Sequence, residues 1–141
     1  MKIFVRDGIR VEYPGDWVIQ TEPNEDSGWT VTINSPDIAF ALISLLPDVS
    51  DPEHVANEAV ASLLTDYPQL EKQEFSGSVA NHPAVGYDVD FFSLDQMAFA
   101  AIRVIDTVHG TLLVLLQSTE DDRSWNGPLL IDILKSIRVD E

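Results

Sequence analysis

The chain has 141 residues, 45% of them hydrophobic, no cysteine, and a formal net charge of −16. That length and apolar content suit one domain with its own core and argue against disorder, while the missing cysteine excludes disulfides and thiol chemistry. Lys72 is the sole basic residue between Arg10 and Arg103, so the chain is poorly equipped to neutralise nucleic-acid phosphates or to dock on an anionic membrane surface.

Lys2 to Arg6 and Ile9 to Tyr13 flank Asp7-Gly8. A two-residue Asp-Gly between alternating segments is a hairpin signal, because both turn positions need positive φ. Ile9, Val11 and Tyr13 then share one face. The stretch Val11-Glu12-Tyr13-Pro14-Gly15-Asp16-Trp17 ends the second strand. Pro14 fixes φ and lacks a donor, Gly15 permits a sharp bend, and Trp17 offers an apolar anchor for the returning segment.

Glu22 to Gly28 is acidic and turn-forming, an expected exposed loop. Trp29, Val31 and Ile33 alternate with Thr30, Thr32 and Asn34, which is the period of a strand with one buried face. Ser35-Pro36-Asp37 turns the chain. Ile38 to Leu46 is apolar apart from Ser44 and is expected to be an interior strand covered on both sides.

Asp51-Pro52-Glu53 opens a helix: Asp51 caps free N–H groups, Pro52 suits the first position, and Glu53 favours the positive end of the dipole. Ala56, Ala59, Val60, Leu63, Leu64 and Tyr67 form its apolar stripe, with Asn57, Glu58, Ser62 and Asp66 opposite, and Tyr67-Pro68 stops it.

Phe75 to Val79 reads as a short strand, Asn81-His82-Pro83 as a turn, and Ala84 to Phe92 as the next strand. Val85, Tyr87, Val89 and Phe91 share one face of it; Gly86, Asp88, Asp90 and Phe92 share the other. Met97 to Ile105 and Thr111 to Ser118 form a hairpin around Asp106 to Gly110, with Leu112 to Leu116 wholly apolar and interior. Glu120-Asp121-Asp122 reads as an exposed acidic loop. Pro128 marks the expected start of a last helix, with Leu130, Ile133, Leu134 and Ile137 inward.

No parallel crossover is demanded, so the sheet is expected to be mostly antiparallel, with helices on both faces. That order resembles the PsbP-like superfamily, which includes the photosystem subunit PsbP, the bacterial DcrB and LpqN families and a nuclear Ran-binding import factor. The resemblance rests on Tyr13-Pro14-Gly15-Asp16-Trp17, on Asp51-Pro52-Glu53, on Asn81-His82-Pro83-Ala84-Val85-Gly86-Tyr87 and on Ile133-Leu134-Lys135-Ser136-Ile137-Arg138. It implies an α+β fold over residues 1–141: a six- or seven-stranded, mostly antiparallel sheet in an α/β/α sandwich. It also implies docking to proteins or, as in some bacterial relatives, chaperoning of hydrophobic segments of secreted toxins. Many exported members begin with a signal or a lipoprotein Cys. Met1 to Arg6 is no signal-peptide core and no apolar run reaches the roughly 20 residues of a membrane span. A cytoplasmic location without membrane insertion is therefore expected, or else an exported protein already trimmed.

Chemistry-bearing motifs are sparse. His54, His82 and His109 fall on three different elements and read as solvated turn residues, without metal-ligand spacing. Gly77-Ser78 lacks the flanking pattern of a nucleophile elbow, and no phosphate-cradling loop is present. Asp88 and Asp90 sit roughly 7 Å apart along one strand face, suited to a cation or to acid/base work, or merely to keeping a strand soluble.

Trp17 and Trp29 read as core plugs; Trp125, beside the acidic loop, caps the sheet edge or meets a partner. Phe92 is the other candidate contact residue. In the Ran-binding relatives, acids near the strand-to-helix junction contact the partner, and Asp48, Asp51 and Glu53 fall in that region of this chain.

The candidate binding residues are thus Asp48, Asp51, Glu53, Asp88, Asp90, Phe92 and Trp125, with no catalytic residue, metal or cofactor expected. The expected function is a non-catalytic protein-binding or adaptor module with an acidic surface and a protein partner, a basic one fitting best. The alternative is a carrier or chaperone for an apolar peptide segment or lipid, using an exposed groove near Phe92, Ala98, Ala100 and Ile102.

Overall fold

The computed structural model describes residues 1–24 and 28–141. Glu25, Asp26 and Ser27, part of the expected acidic loop, lie outside the described residues. Among the described residues, ten strands and two helices follow in the order β1 (Lys2–Arg6), β2 (Ile9–Tyr13), β3 (Val18–Pro23), β4 (Trp29–Asn34), β5 (Phe40–Leu46), α1 (Pro52–Asp66), β6 (Glu71–Val79), β7 (His82–Ser93), β8 (Gln96–Thr107), β9 (Gly110–Thr119), α2 (Arg123–Ser136) and β10 (Arg138–Val139). A seven-stranded sheet runs β3-β4-β5-β9-β8-β7-β6, antiparallel throughout. The first hairpin is not part of it: β1, β2 and β10 make a separate three-stranded sheet, which the sequence pattern alone did not separate.

Both apolar ribbons are interior. β9 is the middle strand, and β5 lies between β4 and β9. On β9, Leu112, Val114 and Leu116 share a core cluster with Ile9 and Val11 of the small sheet, Trp17, Trp29, and Leu130 and Ile133 of α2. The intervening Leu113 and Leu115 pack against a second cluster, to which α1 gives Val55, Ala56 and Val60 and β8 gives Ala98, Ala100, Ile102 and Val104. Each of the Val, Leu and Ile side chains taken from water contributes about 1.5–3 kcal/mol.

The small sheet is fastened to the large one through Trp29. Phe4 meets the Trp29 ring edge-on at 5.3 Å, and the indole Nε1 donates to Asp7 Oδ2 at 2.9 Å. Trp17 closes the Pro14 turn by donating its backbone N–H to Pro14 O at 3.1 Å, with its ring buried.

Three hairpins turn on two residues in the left-handed region: Asp7-Gly8 (φ 49 and 80), Ala80-Asn81 (51 and 64) and Leu94-Asp95 (51 and 67). Positive φ at both turn positions matches the twist of the flanking strands. Gly15 has no positive φ and a Cβ there would meet nothing within 4 Å, so its bend does not require glycine. Gly86 does require it: a Cβ would lie 1.7 Å from Ile102 O of the neighbouring strand.

Several boundaries differ from expectation. Strand β3 had no clear signal, because its residues are nearly all exposed and lack alternation. Strand β6 starts at Glu71 rather than Phe75. Ala80-Asn81 make the next turn, so His82 and Pro83 are already in β7. Ile38 is exposed and precedes β5. Helix α2 begins at Arg123, five residues before Pro128, which sits inside it.

The largest correction is Asp122. Expected in an exposed loop, it is 1% exposed and is the N-terminal cap position of α2. Its Oδ2 accepts from Ala39 N (2.7 Å), Ile38 N (3.3 Å) and Asn126 Nδ2 (3.0 Å), and its Oδ1 from Thr119 N (2.9 Å) and Thr119 Oγ1 (3.2 Å). One carboxylate thus joins the end of β9, the start of α2 and the approach to β5. Burial pushes its pKa up, but the donors from Thr119, Asn126 and Ala39 outweigh that and hold it below the ordinary value of 3.8.

Asp122→Ala strands these donors and is expected to lower unfolding stability by about 2–3 kcal/mol in a denaturant titration. The stabilisation from the lowered pKa is present above the unfolded value and disappears as pH falls through the folded one. The variant therefore loses less stability than the wild type on acidification; equal acid sensitivity would contradict this role.

Candidate functional site

The seven candidate residues do not converge. Asp48, Asp51 and Glu53 lie exposed at the start of α1. Asp51 caps that helix, accepting from His54 N at 3.1 Å, as its sequence position implies. Glu53 lines a cleft of about 460 Å³ with Asn57, Glu74 and Tyr87, where Tyr87 donates its hydroxyl to Asn57. Trp125 is 52% exposed; its indole donates to Asp37 Oδ2 at 3.0 Å and so covers the Ser35–Asp37 turn.

Asp88 and Asp90 do share a groove, of about 610 Å³, between α2 and strands β6 to β9. Asp88 is engaged there: Arg103 Nη2 reaches its Oδ1 at 2.8 Å. Arg103 also lies over the Phe75 ring at 3.5 Å, two strands away across Gly86, whose missing side chain leaves that row open. Arg123 lies over Phe99 at 3.9 Å. The carboxylate pair is therefore part of a mixed-charge surface in which the one near Arg103 has a fixed partner.

The apolar groove expected around Phe92, Ala98, Ala100 and Ile102 is not open. The last three are buried beneath α1. Phe92 pairs with Met97 at the far end of the β7–β8 hairpin and, by strand alternation, points away from the neighbouring Phe91, which is buried with the α1 cluster.

A different apolar groove lies at that hairpin end, bounded by the last turn of α1. Its volume is about 530 Å³, and Tyr67, Pro68, Leu70, Phe91, Phe92 and Met97 line it. Tyr67 packs on Phe91 with ring centroids 4.3 Å apart, and its hydroxyl meets Ser93 Oγ at 3.3 Å. Strand β6 begins only at Glu71, opposite Asp90, so Phe91 to Ser93 have a strand neighbour on the β8 side alone. Phe92 is 63% exposed and Leu94, at the turn, 93% exposed. The charged residues of the lining are Asp66, Glu71 and Asp90, all acidic, and Asp95 sits at the turn itself.

Of this groove only Phe92 and Asp90 were singled out from the sequence. The available signal was Leu94: an apolar residue in a short polar stretch between two strands.

His82 and His109 are less solvated than expected, while His54 is exposed. His109 binds the Asp140 carbonyl through Nε2, and its ring fills the space beside Gly8. His54 pairs with Glu58 at 3.0 Å on the outer face of α1. His82 places Nδ1 2.7 Å from Ala80 O and Nε2 2.5 Å from Glu141 Oε1. Two facing acceptors favour the ring with both nitrogens protonated. The Ala80 carbonyl raises its pKa above 6.5; burial opposes this, and Glu141 and Asp106 add to the rise. Among the described residues, no group of three or more His, Cys, Asp or Glu side chains is placed to hold a metal ion.

Solved structures align with this chain over nearly its whole length. LpqN, involved in cell envelope biogenesis of Mycobacterium tuberculosis, matches with a TM-score of 0.62 and 16% identity, over 94% of this chain and 83% of that one. A protein from Bacteroides thetaiotaomicron VPI-5482 matches with a TM-score of 0.65 and 12% identity, over 99% of this chain and 48% of that one, so this chain spans about half its length. The fold is PsbP-like. PA94 from Pseudomonas aeruginosa, of unknown function, has the same PsbP-like architecture, with a TM-score of 0.54 and 16% identity over 96% of this chain and 94% of that one. Identities this low speak for the fold alone. No protein-family model matches the chain, and no curated protein matches it. Among the described residues, no helix is long and apolar enough to cross a membrane.

The His82 geometry has a pH consequence. Its stabilisation is full below the unfolded pKa near 6.5 and is lost as pH rises through the higher folded value. Denaturation midpoints at about pH 6 and about pH 8 are expected to differ more in the wild type than in His82→Ala. Equal differences would remove His82 as the cause.

Proposed function

We propose that this protein is a non-catalytic protein-binding module whose acidic exterior recognises a basic partner. The reading rests on how the charges are used. Six of the eight basic side chains are engaged within the molecule: Arg103 with Asp88 and Phe75, Lys72 over Tyr87, Arg123 over Phe99, Arg6 over Trp29, Arg10 with Glu12, and Arg138 with the carbonyls of Lys135 and Ile137. Among the described residues, Asp48, Glu53, Asp66, Glu71, Glu74, Asp90 and Asp95 form no ion pair. A surplus of exposed negative charge without internal counter-charge attracts a positive partner and steers its approach.

The scaffold under this surface we read as a sandwich with one helix on each face of the large sheet. The two core clusters support that reading: alternate residues of β9 go to alternate clusters, one holding α1 and the other α2.

Binding of a Lys-rich peptide, followed by calorimetry, tests the functional reading. Between about 0.1 M and about 1 M NaCl the Debye length falls from about 10 to about 3 Å, and affinity is expected to fall by at least about tenfold. Binding indifferent to salt would contradict it, as would a failure to bind at low salt.

A further inference from the structure

We infer that the docking site is the groove at the β7–β8 hairpin end, and that its occupant is an amphipathic segment of another protein, with large apolar side chains flanked by Lys or Arg. This rests on the protein-binding reading above and names the place and the chemistry of the partner. Three observations meet at this groove.

The first is apolar exposure. Phe92 and Leu94 are 63% and 93% exposed at the end of a hairpin whose Val89, Phe91, Ile102, Val104 and Ile105 are buried. Phe92 lines a groove of about 530 Å³ whose other walls, Tyr67, Pro68, Leu70, Phe91 and Met97, are largely apolar, and Leu94 follows two residues on, at the turn. A concave apolar site rimmed by polar groups is the form that receives an anchoring side chain.

The second is charge. Asp66, Glu71 and Asp90 line the groove and Asp95 tops the turn, with no Lys or Arg among its described lining residues. An anionic lipid surface is repelled by that rim, and so is a second copy of a chain with a net charge of −16. A segment carrying Lys or Arg around its apolar residues satisfies both parts of the site.

The third is the backbone. Leu94 holds φ +51 at the turn, a conformation that Gly or Asn adopts at lower cost. A leucine there stabilises neither the turn nor the core. Its side chain is held out in water at the turn two residues after Phe92, where the apolar face of a partner seated on the groove would extend to cover it.

The test uses a synthetic helical peptide with Leu and Phe on one face and Lys on its flanks, and a scrambled peptide of the same composition. Both are titrated calorimetrically into the wild-type protein, into Phe92→Ser/Leu94→Asn, and into the control Ile131→Ser, which removes an exposed apolar side chain on α2. The amphipathic peptide is expected to bind the wild type more tightly than the scrambled one. The hairpin variant is expected to lose about tenfold or more in affinity, and the control to lose little. Because Asn suits the left-handed turn, Leu94→Asn alone is expected to keep or raise Tm while weakening binding, which separates lost contact from lost folding.

Equal affinity in the hairpin variant, equal loss in the control, or equal binding of the scrambled peptide would overturn the inference and leave the acidic-module reading standing. Absence of binding by both peptides at low salt would overturn both. Concentration-dependent dimerisation abolished by the hairpin variant would make the occupant a second copy and overturn the inference.

Discussion

A strand with no polar side must be covered twice. Leu112 to Leu116 of β9 meets that constraint by giving alternate residues to two different core clusters. One draws on α2, the small sheet and the two buried tryptophans; the other draws on α1 and strands β7 and β8. The remaining strands are placed by this division: β5 and β8 flank β9 and carry apolar residues for both clusters. A one-residue slip of β9 would exchange the two sets, so its register is strongly fixed. The result is a sheet whose middle is dry and whose edge strands, β3 and β6, are mostly exposed and largely polar.

The joints are polar and fully satisfied. Among the described residues, no buried side-chain nitrogen or oxygen lacks a partner. Asp122 is the clearest case: its two oxygens receive five donors from three segments, which makes one ionised group acceptable in an otherwise apolar layer. Such a carboxylate is structural. It also shows why an acidic sequence run is a poor guide to surface: Glu120 and Asp121 are exposed, and the next residue is among the most buried.

Much of the fold was legible in the sequence because it depends on short-range rules. Asp7-Gly8, the Asp51 cap with Pro52, and the alternation at Trp29, Val31 and Ile33 each act within a few residues. What was not legible depends on distant partners. The separate small sheet exists because Arg138 and Val139 return to β2 from the far end of the chain. Asp122, just ahead of the start of α2 at Arg123, is buried against Ala39, far away in sequence. Of the candidate site, Phe92 and Asp90 were visible as an exposed pair on one strand face. The groove beside them was not, since it is made by the end of α1, the late start of β6 and an unusual turn residue. Asp48 and Trp125 stayed apart from it for the same reason: proximity in space was not encoded in their neighbours.

The proposed docking site is an apolar groove that an acidic scaffold presents to a basic amphipathic segment. Backbone hydrogen exchange, measured with and without the Leu/Lys helical peptide, tests this most directly, since it reports on each segment separately. Slowed exchange confined to residues 66–71 and 90–97 is the predicted result. Slowing centred on β3 to β5, or on the first turn of α1 around Asp48 to Glu53, would contradict it.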